Sequence, residues 1–216
     1  MFYKPDYTGK SIVNLMGSIS KCFDLDPVYR ELNMLPSKKI KQYKNIVHIV
    51  IDGLGYNYLM KKRENFLKTH TIGKITSVFP STTSACITSF ATGLAPKEHG
   101  VTGWFVRIKN KNVDIPSTIL LFNDRRDGEL LTNKGIAPSD VFTRIRLSTK
   151  IRNLKSVLPS SNISSIYTHH MLSDSTKIGY DGLEDFFDKI SESVRSSSDN
   201  QNYIYGYLPD FDSIMH

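Results

Sequence analysis

Three short stretches hold the side chains of this sequence that could do chemistry. In "IVIDGLG", residues 49–55, Asp52 stands directly after an apolar run and before two glycines. "FPSTTSACITSFATG", residues 79–93, strings Ser81, Thr82, Thr83 and Ser84 behind a proline. "PDFDSIMH", residues 209–216, sets Asp212 and His216 four positions apart. A carboxylate and an imidazole at that spacing share one face of a helical turn and form a credible pair of zinc ligands. Hydroxyls at a helix N-terminus meet unpaired N–H groups and a dipole that favours a phosphate. An alcohol is almost wholly protonated at neutral pH, so such a hydroxyl becomes a nucleophile only if a base or a metal holds it as alkoxide. Each stretch also fits a plainer role: Asp52 and the Ser/Thr run as helix caps, Asp212 and His216 as a surface pair. A dinucleotide fingerprint beginning at Gly53 and Gly55 fails, because Tyr58 stands where the third glycine belongs and Asp52 would face the pyrophosphate. No P-loop motif occurs.

The elements that must position these residues follow from patterning. Residues 45–51, "NIVHIVI", are a short β-branched apolar run that predicts a strand buried in a parallel sheet, with Asp52 at its C-terminal end. Helical spacing predicts a helix over 57–68, β propensity a strand over 74–79 stopped by Pro80, and Gly93 the end of a helix that starts near Thr82. Strand propensity returns at 163–168, an amphipathic helix at 183–194 and a buried strand at 202–208, while 193–202 reads as a surface loop. This alternation predicts an α/β fold, a mostly parallel sheet flanked by helices. Ligands of such sheets bind beyond the carboxyl ends of the strands, so the three stretches, each following a predicted strand, are expected to converge on one edge.

A chain of 216 residues with 39% hydrophobic content can bury a real core. Its net charge of +7, from 28 Lys+Arg against 21 Asp+Glu, would favour anionic partners. The basic residues are scattered through "PSKKIKQYKN", "MKKRENFLK" and "RIKNKN" without interleaved aromatics, which reads as solvated loops and not as a specific nucleic-acid surface. No run of eighteen apolar residues and no secretory signal is present, so a cytoplasmic protein without membrane attachment is expected. Cys22 and Cys86 show neither metal-ligand nor redox spacing, which fits a reduced compartment.

Taken in order, "VIDGLG", "FPSTTSACITSFATGLAPKEHGVTGW" and "YIYGYLPDFDSIMH" resemble the type I phosphodiesterase/nucleotide pyrophosphatase family of the alkaline phosphatase superfamily. The middle motif is specific, since F-P-x-x-T followed by A-T-G-x-x-P-x-x-H-G combines several spaced constraints. The opening "PDYTGKSIVNLMGSI" also resembles the lead-in of bacterial members. The resemblance implies an alkaline-phosphatase-like catalytic domain over 1–216. Within it lie a lead-in (1–44), a metal and nucleophile segment (45–103), an irregular excursion (104–140) and a return to the sheet with the second metal motif (141–216). It implies Thr83 as nucleophile and metal bridge, Asp52 as ligand of one divalent ion, Asp212 and His216 as ligands of the other, with zinc as both ions. His99, in the P-x-x-H-G stretch, is expected to be structural, and His48, His70, His169 and His170 are left unassigned.

The implied activity is hydrolysis of a phosphodiester or pyrophosphate bond in a small phosphorylated or nucleotide-like substrate, through a covalent phosphothreonine. The family pattern continues with an Asp-His pair and a further histidine beyond position 216, so the domain reads as incomplete at its C-terminus, with each metal site short of ligands. A truncated, non-catalytic remnant and a phosphate- or nucleic-acid-binding module are the alternatives. A sulfatase is not expected, because no Cys/Ser-x-Pro-x-Arg site occurs.

Overall fold

The computed structural model describes residues 3–110, 113–143, 145–196 and 200–215. Helices α1 (Ile12–Cys22) and α2 (Ser37–Ile40) precede strand β1 (Asn45–Ile51), which is followed by α3 (Tyr56–Lys61) and α4 (Phe66–Thr69). Next come α5 (Thr83–Thr92) and α6 (Pro96–His99), then strands β2 (Phe105–Asn110), β3 (Val113–Thr118) and β4 (Asn123–Asp124). The chain continues through α7 (Pro138–Val141), β5 (Leu154–Pro159), α8 (Ser160–Ile163), α9 (Ile166–Met171) and β6 (Thr176–Tyr180). It closes with α10 (Leu183–Arg195), β7 (Asn202–Leu208) and α11 (Asp210–Met215).

The main sheet has the order β1-β7-β5-β6, and every neighbouring pair in it is parallel. A parallel sheet must be covered on both faces, and β7 is buried along its whole length. The side-chain period of two divides β7 cleanly. Tyr203, Tyr205 and Tyr207 belong to the core on one face, while Ile204 and Leu208 join Phe186 and Ile190 of α10 on the other. Gly206 permits that second contact: a β-carbon there would lie 2.9 Å from Phe186 Cζ and 3.1 Å from Ile190 Cδ1.

Helix α1 supports α5. Ile12 and Val13 share a buried cluster with Ala85 and Ala95. The buried Asn14 is fully used: its Oδ1 accepts from the Ser11 N–H (3.1 Å) and hydroxyl (2.6 Å), and its Nδ2 donates to the carbonyls of Tyr7 and Arg30, both at 2.9 Å.

Several expectations are corrected. Residues 74–79 form no strand; Thr76 makes a single parallel bridge with Ser11, flanked by Thr76 N–H to Lys10 carbonyl (2.8 Å) and Ile12 N–H to Thr76 carbonyl (3.0 Å). Strand propensity measures fit to a pleated surface, and among the described residues the backbone of this stretch pairs with the turn that leads into α1 and with no strand. Residues 163–168 form no strand: α8 ends at Ile163 and α9 starts at Ile166, where Ser165 caps it by accepting from the Thr168 N–H at 3.1 Å. The single helix expected over 57–68 is two, since Asn65 starts α4 by accepting from the Lys68 N–H. The stretch 104–140, read as irregular, contains the antiparallel sheet β2-β3-β4, with its own core of Ile115, Ile119, Phe122 and Leu131. Helix α10 runs to Arg195, into the stretch read as a loop.

His99 has a structural place. It is 2% exposed, its Nδ1 accepts from the Val101 N–H at 3.1 Å, and its Nε2 therefore carries the proton toward Ser89 Oγ, also at 3.1 Å. Burial pushes its pKa down to about 4. The unfolded chain binds this proton at about pH 6.5 and the folded one only near 4, so stability is full above 6.5 and falls with pH across that window, by about 3 kcal/mol at most. Urea unfolding followed from pH 7 to pH 4 should show this decline, and His99→Gln, though less stable at pH 7, should show a shallower one.

Candidate functional site

The site is built on the carboxyl ends of β1 and β7. Their pairing continues one residue past β1, where the Asp52 N–H donates to the Leu208 carbonyl at 2.9 Å. Val50 lies opposite Tyr207 in register, so strand alternation puts Asp52, two residues on, over the same face as Tyr207. The Tyr207 hydroxyl accordingly donates to Asp52 Oδ2 at 2.7 Å. Burial, then the bond to Asp52, pushes the Tyr207 hydroxyl well above the ordinary tyrosine range, which keeps it a donor.

The second donor to Asp52 Oδ2 is the Thr83 hydroxyl at 3.1 Å. Thr83 is the first residue of α5, and no side chain caps that N-terminus: Thr82 is in extended conformation and its hydroxyl makes no capping bond. The unpaired N–H groups of the first turn are thus left for another acceptor. Cys86, one turn along, is not a competing nucleophile, because burial pushes its thiol pKa up; its sulfur lies 3.1 Å from Ser77 Oγ.

Asp212, in α11, packs closely against Gly53. A β-carbon on Gly53 would lie 2.9 Å from both Asp212 Cα and Asp212 Oδ1, and Gly53 has φ of +73°. Two independent constraints, a left-handed backbone and a close approach, therefore select glycine directly after Asp52. Gly53 in turn donates its N–H to Asp52 Oδ1 at 3.0 Å. Asp52, Thr83 and Asp212 all border one cavity of about 370 Å³.

Of the site residues expected from sequence, Asp52, Thr83 and Asp212 are thus brought together, and His216 lies outside the described residues. Among the described residues no group of three or more His, Cys, Asp and Glu side chains could hold a metal ion. Tyr207 was missed, although the tyrosines at 203, 205 and 207 already mark one face of a strand.

The family model for type I phosphodiesterase / nucleotide pyrophosphatase matches residues 46–216. The chain belongs to this family. As a type I phosphodiesterase / nucleotide pyrophosphatase domain it is of the phosphoester-hydrolase class, and the four-stranded parallel sheet flanked by helices is consistent with an alkaline-phosphatase-like fold. The match begins one residue inside β1 and takes in all three of Asp52, Thr83 and Asp212. No curated protein and no solved structure matches the chain. Among the described residues no helix is long and apolar enough to cross a membrane.

Two substitutions test this architecture through stability. Gly53→Ala meets both the left-handed backbone and Asp212, and should cost at least about 1–2 kcal/mol in urea unfolding. Gly55→Ala should be nearly neutral, since a β-carbon there meets nothing within 4 Å and φ is −78°. Tyr207→Phe removes a hydrogen bond to a carboxylate and should cost about 1–3 kcal/mol, which the same measurement reads.

Proposed function

We propose that the protein is a metal-dependent hydrolase of phosphodiester or pyrophosphate bonds that works through a phosphothreonine on Thr83. The observation that carries this reading is the Thr83 hydroxyl, 3.1 Å from Asp52 Oδ2 at the uncapped N-terminus of α5. The helix end offers N–H groups to a phosphate, and the hydroxyl sits where it would meet the phosphorus. In the reaction the Thr83 Oγ1–P bond forms as the bond from phosphorus to the leaving oxygen breaks, and the proton given up by the Thr83 hydroxyl departs on the leaving oxygen. Water then cleaves the Thr83–phosphate bond and restores the hydroxyl. Asp52 holds Thr83 at the start by accepting its proton in a hydrogen bond.

The donor types, carboxylate and hydroxyl oxygens, are those divalent cations take, although the described residues bring fewer than three His, Cys, Asp or Glu ligands together. Asp52 precedes Gly53 and Asp212 packs against it, so two carboxylates meet near that glycine, and Thr83 adds a hydroxyl. Asp52 with Thr83 would hold one ion and Asp212 with His216 the second, zinc being the ion the family implies. Such an ion lowers the pKa of a bound hydroxyl and offsets charge on the leaving oxygen. Among the described residues Asp52 Oδ2 accepts two hydrogen bonds and Oδ1 one, from the Gly53 N–H, so Oδ1 is the oxygen with more capacity for a cation. The substrate is a small phosphorylated or nucleotide-like molecule.

The test is hydrolysis of a nitrophenyl phosphodiester with added zinc. Thr83→Ala should reduce turnover to the uncatalysed background, whereas Thr82→Ala should be mild. Asp52→Asn should lose both turnover and zinc affinity, the latter read by calorimetry. Equal loss from both threonine substitutions, or turnover without Thr83, would overturn the assignment.

A further inference from the structure

More than half of the net charge of +7 falls in residues 56–75, the stretch that holds α3 and α4. Five basic residues there, Lys61, Lys62, Arg63, Lys68 and Lys74, stand against one acid, Glu64, which leaves +4. Among the described residues only Lys68 meets that acid, at 3.3 Å. Lys61, Lys62 and Arg63 are exposed. Lys74 Nζ lies 4.8 Å from the ring centre of Tyr3 and 5.8 Å from that of Tyr56, both of them exposed tyrosines.

The same stretch carries large apolar side chains that no core claims. Phe66 and Ile72 are 74% and 71% exposed, and Leu67 is exposed as well. Phe66 and His70 are four residues apart, about 6 Å of helical rise, and Ile72 follows within about 7 Å of extended chain, so the three apolar groups are neighbours. Single exposed apolar residues are ordinary on a protein surface. These differ because neither α3 nor α4 has a buried residue, so the apolar content of the segment serves no interior. Exposed Phe105, by contrast, has the Arg125 guanidinium 3.9 Å from its ring centre.

Apolar side chains flanked by lysine, arginine and tyrosine match the interface of an anionic lipid bilayer. Its headgroups attract the cations, its acyl boundary takes the apolar groups, and tyrosines settle at the level between. A nucleic acid would attract the cations too, but Leu67 and Ile72 have no ring to stack on a base and would stay in water.

We propose that α3, α4 and the chain up to Lys74 dock on the surface of an anionic lipid bilayer, with Phe66, Leu67 and Ile72 entering the boundary between headgroups and acyl chains. Docking needs no spanning helix, and among the described residues none is present. The docked face adjoins the candidate site, because Tyr58 of α3 packs on Phe211, the neighbour of Asp212, with ring centres 5.2 Å apart. The proposal stands apart from the phosphohydrolase reading and is tested by binding alone.

The full chain is sedimented with vesicles of phosphatidylcholine, with and without phosphatidylserine. It should bind those with phosphatidylserine and not the others. Binding should fall steeply as salt rises from about 0.1 M to about 1 M, which shortens the Debye length from about 10 Å to about 3 Å. Lys61→Gln with Arg63→Gln should weaken binding about fivefold per charge, whereas Lys38→Gln with Lys150→Gln, which remove two exposed charges elsewhere, should leave it nearly unchanged. Phe66→Ser with Ile72→Ser should weaken it about tenfold or more and leave urea unfolding as in the parent, since neither side chain is buried. No binding to phosphatidylserine vesicles, equal loss from the two pairs of charge substitutions, or full binding without Phe66 and Ile72 would overturn the proposal. Binding of a single-stranded oligonucleotide without sedimentation on vesicles would also overturn it, in favour of a nucleic-acid partner.

Discussion

A single carboxylate oxygen ties α5 to the carboxyl end of the parallel sheet. Asp52 Oδ2 accepts from Thr83 at the start of α5 and from Tyr207 near the end of β7, while the backbone of Asp52 continues the pairing of β1 with β7. Helix and sheet meet there through hydrogen bonds to a charged acceptor, which are stronger than those between neutral groups. The arrangement requires three elements distant in sequence to end at the same level. Parallel pairing brings the two strands to that level. The route of 74–82 past the turn before α1 brings α5 there without a strand.

The rest of the structure reads as support for that junction. Helix α1 underlies α5 through small and branched side chains, with Asn14 pinning the turn at Tyr7 and the carbonyl of Arg30. On the far face of the sheet, the missing side chain of Gly206 lets Phe186 and Ile190 of α10 rest on the backbone of β7. His48 of β1 contributes to the tyrosine face, with Nδ1 2.8 Å from the Tyr203 hydroxyl; burial pushes its pKa down to about 4, so it joins that face as a neutral ring.

What could be read from sequence divides along physical lines. Strands β1 and β7 are continuous apolar runs, α10 is strongly two-faced and α5 ends at Gly93 in the left-handed conformation, so each announces itself locally. Strands β5 and β6 do not, because "LKSVLP" and "TKIGY" carry lysines. Lys155 is accommodated in a buried strand because its Nζ reaches the Ser193 carbonyl and Ser196 Oγ, both at 2.9 Å, partners that come within reach on folding. The same holds for residues 163–168, whose β-branched content is overruled by the Ser165 cap. Asp52 and Thr83 were legible as members of spaced motifs, whereas Tyr207 is defined by a register between strands more than a hundred and fifty residues apart.

Helices α3 and α4, which fill the chain between Asp52 and Thr83, contain no buried residue. Their ties are peripheral ones, such as Lys62 over the Tyr58 ring and Tyr58 against Phe211. Core packing therefore imposes little on this segment, although the hydrogen bonds of Asp52 and Thr83 fix what lies at both of its ends. Insertions, deletions and wholesale replacement are best tolerated in such exposed connections. For lineage divergence and for protein engineering alike, the interval from 56 to 74 is the part of the molecule that can be rewritten around the site without renegotiating the fold.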